Sequence, residues 1–375
     1  MKIGITCYPT YGGSGVVATE LGKELASLGH QIHFISSALP YRLKTYVENT
    51  FFHEVEVSTY PLFDGHLYTL ALTSKMVEVM EYENLDLLHV HYAIPHAVSA
   101  YLAKQIIKKN HKNLKIITTL HGTDITLVGL EPSYSPLVKF SIEESDGVTA
   151  VSRFLKEKTL TNYHIDKEIE VIYNFIDSEL FKPGCSCEFK KHITQKGERL
   201  LVHTSNFRPV KRVPDTIKIF DLVNKEIPSK LLLVGDGPDR SECERLVREL
   251  NLQKDVIFLG KQDGLQEILS ASDIFLMPSQ SESFGLSALE AMACGIPVIS
   301  TSVGGLPELV IHNETGYIAE IGDIARMAKY AVELLSNQKK YTIFAKNSRD
   351  RAEKVFNKNS IIPQYLNYYD KILGK

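Results

Sequence analysis

A chain of 375 residues with 44% hydrophobic and 23% charged residues and a formal net charge of −3 has the make-up of an ordinary folded protein, long enough for two cores. The near-neutral balance offers nucleic acid no electrostatic footing, and no apolar run approaches the roughly 18 residues that span a bilayer, so stable membrane insertion is not expected. Five cysteines, an odd number without a C-x-x-C pair, argue against a disulfide framework, and Cys185 and Cys187 read as a loop thiol pair rather than a metal site.

The chain goes straight into a strand, Ile3 to Cys7, with no signal-peptide apolar region, and a cytoplasmic protein is expected. Thr10-Tyr-Gly-Gly-Ser-Gly15 and a helix from about Val16 to Leu28 come next. The glycines let backbone N–H groups approach an anion at the helix start, but the spacing is neither a dinucleotide fingerprint nor a Walker loop, and a tight turn is the competing reading. The second strand, Ile32 to Ser36, ends without an acid for a ribose. The third, Leu87 to His91, carries His89 and His91, which are read as structural, are assigned to opposite faces, and lack a third metal ligand. Tyr92 ends it.

The fourth strand, Ile116 to Leu120, delivers Thr119 and then His121-Gly-Thr-Asp124. A strand end near the middle of a parallel sheet is where reacting groups sit, although a histidine satisfied by a core carbonyl competes with that reading. After Val148 to Val151, Ser152 is a good N-cap and Arg153 begins a helix; its guanidinium suits a carboxylate, and an exposed structural role suits it equally. Asn174 ends a strand at the domain boundary.

A second series of strands follows: Leu200 to Thr204, Leu231 to Val234, Val256 to Leu259, Ile274 to Met277 and Val298 to Ser300. Alternation with amphipathic helices throughout makes the chain α/β, two doubly wound Rossmann-like domains in tandem, residues 1–171 and 172–358. The last helix, Asn359 to Leu373 within residues 359–375, either closes the second domain or crosses back to the first.

Ser205-Asn206-Phe-Arg208-Pro-Val-Lys211-Arg212 sets three cations beside a strand end, which suits two phosphates, with a solvated basic loop as the alternative. In Glu282-Ser283-Phe284-Gly285-Leu286-Ser-Ala-Leu-Glu290 a helix runs from about Leu286 to Cys294 and stops at Gly295. Backbone N–H groups around Phe284, Gly285 and Leu286 suit a diphosphate, and the flanking carboxylates suit sugar hydroxyls. Were the whole span helical, the two carboxylates would be separated by roughly 12 Å along the axis. Glu290 is the one charge in an otherwise apolar run and so needs a partner.

Glu282-x7-Glu290 with Phe284-Gly-Leu286, Gly235-Asp-Gly-Pro238, and Gly295-x-Pro-Val-Ile299 with Gly304-Gly-Leu-Pro-Glu308 together resemble the retaining glycosyltransferases of family 4, over nearly the whole chain. The resemblance implies the GT-B fold, two Rossmann-like domains facing across a cleft, and a UDP-GlcNAc-dependent transferase without a metal cofactor. It implies a catalytic set of His121, Lys211 and Glu282. On the donor side it implies Gly15, Asn206, Arg208, Lys211, the Leu259-Gly260 loop for the base, Glu282 and Ser283 at the sugar, Phe284, Gly285 and Leu286 at the sugar and diphosphate, and Glu290 at the ribose. One departure is that Asn206 stands where the family often has its arginine.

Cys7-Tyr-Pro-Thr-Tyr-Gly-Gly-Ser-Gly-Val16, His89-Val-His-Tyr-Ala-Ile-Pro-His96, His121-Gly-Thr-Asp124 and Ser205 to Lys211 resemble more closely those members that transfer N-acetylglucosamine from UDP-GlcNAc to L-malate in bacillithiol biosynthesis. That implies a dicarboxylate acceptor held by Ser14, Tyr92, Thr119, Arg153 and Asn174. Two alternatives stay open: a family 4 transferase with a lipid or polysaccharide acceptor, and a non-catalytic nucleotide-sugar-binding protein. Oligomeric state is also open.

Overall fold

A computed structural model describes residues 1–10, 12–57, 67–108, 114–184 and 187–375; the thiol pair expected at Cys185 and Cys187 lies outside the described side chains. The chain divides into two compact units, Met1–Asn174 with Ile361–Lys375, and Phe175–Ser360.

Unit 1 runs β1 (Lys2–Thr6), α1 (Gly13–Ser27), β2 (Gln31–Ser36), β3 (Thr50–Glu54), α2 (Tyr68–Glu83), β4 (Leu87–His91), α3 (Val98–Ile107), β5 (Lys115–Leu120), α4 (Ser135–Glu144), β6 (Gly147–Ala150), α5 (Arg153–Tyr163) and β7 (Glu170–Val171). Among the described residues its sheet has seven parallel strands in the order β3-β2-β1-β4-β5-β6-β7. Unit 2 runs α6 (Cys187–Ile193), β8 (Arg199–Thr204), α7 (Val213–Asn224), β9 (Ser229–Val234), α8 (Arg240–Glu249), β10 (Val256–Gly260), α9 (Leu265–Ala271), β11 (Ile274–Met277), α10 (Leu286–Ala293), β12 (Val298–Thr301), α11 (Leu306–Leu309), β13 (Gly316–Ala319), α12 (Ile324–Ser336) and α13 (Gln338–Val355). Its six described strands are also parallel, in the order β10-β9-β8-β11-β12-β13.

Helices on both faces bury β4 throughout, and β5 and β9 except at Lys115 and Lys230, so each carries a buried aliphatic pair or run rather than alternating polar positions. The exceptions are informative. β3 lies at an open edge and is only partly buried, β7 has two residues, and β13 contains a glycine, so none of them carries a strong strand signal. Asn174 therefore does not end a strand; β7 stops at Val171 and Asn174 follows it in irregular backbone.

α14 (Lys358–Leu373) begins in unit 2 and from Ile361 onward belongs to unit 1. Its buried tyrosines explain the assignment. The Tyr368 hydroxyl accepts from Val148 N at 2.8 Å and donates to Val148 O, and the Tyr369 hydroxyl lies 2.7 Å from His89 Nδ1. Such rings bury large apolar bodies while placing a polar tip on the sheet. Among the described residues no helix is long and apolar enough to cross a membrane.

In each sheet the strand order reverses once, between β1 and β4 and between β8 and β11. At such a point the loops leaving the carboxyl ends diverge and open a crevice for ligand. Each unit has its own switch point; Ser14 and Gly15 follow β1, Tyr92 follows β4, Asn206 to Lys211 follow β8 and Glu282 follows β11, while His121 comes after the neighbouring β5.

Candidate active site

In unit 2 the site begins with His203, buried in β8 and bonded on both sides. Its Nδ1 must donate to the Leu276 carbonyl 2.8 Å away, so Nε2 accepts from the Ser205 hydroxyl at 2.8 Å. Burial pulls its pKa down to about 4 and keeps it neutral. Ser205 then accepts from Phe207 N at 3.3 Å, which fixes the turn that carries Asn206 and Arg208. The Gly235-Asp-Gly237 loop explains itself beside this turn: a Cβ at Gly235 would overlap the Ser205 carbonyl oxygen and one at Gly237 that of Asn206. Gly235 N also donates to Gly260 O at 2.7 Å, which brings Leu259 and Gly260 alongside.

From β11, Gln280 N donates to Val210 O at 2.8 Å and Thr301 Oγ1 to Ser279 O at 2.6 Å, tying the following loop to its neighbours. Here Lys211 Nζ meets Glu282 Oε1 at 2.6 Å, and the same oxygen accepts from Ser279 Oγ at 3.0 Å. The two side chains are 23% and 10% exposed, so the pair is shielded enough to hold its geometry while open to a ligand. The Glu282 backbone is clamped from behind, since Gly305 N donates to its carbonyl at 3.0 Å and a Cβ on Gly304, at φ +60°, would overlap that oxygen.

The span from Glu282 to Glu290 is not one helix. Gly285 adopts φ +97° and turns the chain immediately before Leu286, so the separation of roughly 12 Å expected for a continuous helix does not apply. The Phe284 ring is buried edge-on against Phe356, with centroids 5.5 Å apart, which leaves ligand contact at this position to the backbone. Glu290 lies 4% exposed on the buried face of α10. The helix ends as its sequence dictates: Ile296 N donates to Ala291 O and Gly295 N to Met292 O, with Gly295 at φ +73°. The expected trio of cations is reduced to two, because Arg212 is engaged by Asp215 at 2.6 Å in the first turn of α7. Arg208 and Asn206 are exposed.

In unit 1, Tyr92 leaves β4 at φ 94° and its hydroxyl donates to Ser14 Oγ, 2.9 Å away in the first turn of α1. Gly15 is required there, since a Cβ would lie 2.5 Å from Tyr8 O. His121 follows β5, with Nε2 2.8 Å from His91 Nδ1 and the rings stacked at 5.0 Å. His89 and His91 are themselves stacked at 4.5 Å, so they share a face rather than opposing one another, as the period of two along a strand requires. Thr119 is fully buried, its hydroxyl 2.7 Å from both His89 Nε2 and Thr149 Oγ1; it braces the histidine stack from inside. Arg153 is exposed at the start of α5, where Ser152 Oγ caps Leu155 N at 3.1 Å. Asn174 is buried, and its Oδ1 has no hydrogen-bond partner among the described residues.

Asp124, three residues past His121, emerges only from the structure as an organiser. Its carboxylate accepts from Ala93 N at 2.8 Å, Gly122 N at 3.0 Å and His121 N at 3.3 Å, holding the β4 and β5 loops together. Burial raises its pKa to about 6 against the pull of those N–H groups. Burial also pulls His89 and His121 down to about 3 and His96 to about 4, and His91 well below 6.5 with its neighbours' repulsion added.

These shifts predict acid sensitivity. The unfolded chain takes up protons near pH 6.5 that the three buried imidazoles and the half-buried His121 refuse, so their contribution to stability is present above pH 6.5 and is lost as pH falls toward 4, at about 1.4 kcal/mol per pH unit for each. Asp124 acts in the opposite sense between pH 6 and 4, and one carboxyl offsets one imidazole. Urea midpoints should therefore drop steeply from pH 7 to pH 5; a flat profile would contradict the buried, neutral stack.

The family model described as Glycosyltransferase Family 4 matches residues 11–180, and that of Glycosyl transferases group 1 matches residues 187–351. The chain is 49% identical over 374 residues to N-acetyl-alpha-D-glucosaminyl L-malate synthase from Bacillus anthracis, covering 100% of this chain and 97% of that one. It is 24% identical to 2-deoxystreptamine N-acetyl-D-glucosaminyltransferase from Niallia circulans, with 96% and 97% covered. Anabaena HepE in complex with UDP-glucose has a similar fold, with a TM-score of 0.84 at 21% identity over 99% of this chain and 100% of that one. Two parallel, doubly wound units with these relatives have the GT-B architecture, and the chain belongs to the family 4 glycosyltransferases.

Proposed function

We propose that this enzyme transfers N-acetylglucosamine from UDP-GlcNAc to the hydroxyl of L-malate with retention at the anomeric carbon, giving GlcNAc-α-malate for bacillithiol biosynthesis. The observation that carries the reading is the 49% identity, end to end, to the Bacillus anthracis protein named for that synthesis. Both substrates are small, charged and water-borne, and a cytoplasmic enzyme is proposed with them.

Unit 2 supplies the donor groups. Lys211 and Arg208, with the free N–H groups of the first turn of α10, would meet the diphosphate, and Glu282 with Ser283 the sugar hydroxyls. The Glu290 carboxylate is given to the ribose and Leu259-Gly260 to the base. In the resting protein Lys211 neutralises Glu282, so donor binding would exchange that pairing for phosphate on the lysine and hydroxyls on the carboxylate. In the transfer step the malate oxygen bonds to C1 as the C1–O bond to UDP breaks on the same face. The proton of the malate hydroxyl passes to the departing phosphate oxygen. Charge growing on that phosphate is met by Lys211 and Arg208, and the step is proposed to run without a metal. His121 is neutral, so its proposed part is to position the sugar through its ring or backbone carbonyl.

Ser14, Tyr92, Arg153 and Asn174 are proposed to hold the acceptor, with Thr119 acting through the histidine stack. The guanidinium of Arg153 would take a malate carboxylate in a two-point contact. Arg153→Ala should raise the KM for malate roughly 10- to 100-fold, as loss of a charged hydrogen bond worth about 1.5–3 kcal/mol implies, with the KM for donor changed little. Movement of the donor KM alone would remove Arg153 from the acceptor.

The reading is tested by mass spectrometry of incubations with UDP-GlcNAc and a panel of acceptors. A hexosamine adduct of malate is expected. Transfer only to a lipid or polysaccharide would replace the acceptor, and binding of UDP-GlcNAc without any transfer would replace the enzyme by a nucleotide-sugar-binding protein.

A further inference from the structure

At the β3 edge of the first sheet, His33 is level with Phe51 and Ile35 with His53, so the two histidines are diagonal neighbours on one face. Their facing nitrogens, His33 Nδ1 and His53 Nε2, are 3.0 Å apart. The carboxylate of Glu83, the last residue of α2, completes a group whose ligand atoms all lie within 4.8 Å of one another. The three residues come from three separate elements, β2, β3 and α2, so their meeting is made by the tertiary fold rather than by local sequence.

Two physical features favour a cation here. Glu83 ends a helix, where the partial negative charge of the last carbonyls disfavours a carboxylate. Lys2 Nζ, 2.9 Å from the Glu83 carbonyl, offsets part of that negative charge. Finally, two histidines and one carboxylate are a donor set for zinc-like ions, with water in the fourth position. Tetrahedral bonds of about 2.0–2.1 Å put two nitrogens roughly 3.3 Å apart, so the pair need open only slightly to admit the ion. Ligation needs both facing nitrogens bare, which a tautomer change in whichever ring carries the shared proton provides.

We propose that His33, His53 and Glu83 form a binding site for a divalent ion of the zinc class, which staples the edge strand β3 to the end of α2. Among the described residues β3 pairs only with β2, so a bond to α2 would hold a strand that hydrogen bonding there secures on one side. The proposed sugar transfer makes no use of this site, and the test reads the metal itself. The full, untagged chain is stripped with EDTA and titrated with Co(II), then with Zn(II), at pH 7.5. Expected are one Co(II) per chain with the visible bands of four-coordinate cobalt, their loss on adding Zn(II), and a melting temperature raised by Zn(II). His53→Gln and Glu83→Gln, both at partly exposed positions, should each weaken binding at least tenfold while circular dichroism stays native, and His192→Gln in α6 should not. No stoichiometric uptake by the parent chain, or equal uptake by His53→Gln and Glu83→Gln, would overturn the site.

Discussion

Replacing Lys211 by alanine should lower kcat for sugar transfer by roughly 10²- to 10³-fold, the loss associated with removing one preorganised donor to a developing oxyanion. The size of the effect follows from position. Lys211 stands after β8 at the strand reversal, its ammonium 2.6 Å from Glu282 and partly shielded from water, so a phosphate bound there would meet an ammonium already oriented. The same substitution leaves Glu282, 10% exposed, with the Ser279 hydroxyl as the remaining partner of that oxygen among the described residues, so the sugar contact should loosen as well. Steady-state kinetics with UDP-GlcNAc decide the matter: unchanged constants would remove Lys211 from the diphosphate.

Gly304→Ala should be nearly as damaging, although residue 304 offers no chemistry. At φ +60° an alanine is strained by about 1 kcal/mol, and its Cβ would overlap the Glu282 carbonyl oxygen, so the backbone under the Glu282 carboxylate must move. A displacement near 1 Å at a positioned group costs on the order of 10²-fold in rate. Gly264→Ala is the control, because a Cβ there meets nothing within 4 Å and its φ is −87°. Equal activity of the two variants would show that the Gly304 loop does not set Glu282.

How much of this could be read from the sequence depends on range. The α10 segment was legible because its signals are local: Gly285 before the helix, an apolar run that buries Glu290, and Gly295 as the stop. Gly235, Gly237 and Gly304 were recognisable as motif residues, but their cause is a loop from another strand pressing against them, which spacing does not reveal. The Lys211–Glu282 pair joins positions 71 residues apart, and Asp124 works by gathering three backbone N–H groups from two loops. Both are properties of the strand order. The pairing of Arg212 with Asp215, in contrast, is an i,i+3 contact in a first helical turn, and the charge pattern itself could have announced it. Strand periodicity alone should likewise have placed His89 and His91 on one face. Thr119 nears a strand end, which suggests a ligand contact, but its hydroxyl is fully buried between His89 and Thr149 on neighbouring strands, a pairing that spacing does not reveal.

Retaining transfer of N-acetylglucosamine to malate is tested most directly by proton NMR of the product formed from UDP-GlcNAc and L-malate. One UDP released per GlcNAc-malate formed is expected, with the anomeric coupling of an α-linked sugar. A β-linked product, or UDP release without any malate adduct, would contradict it.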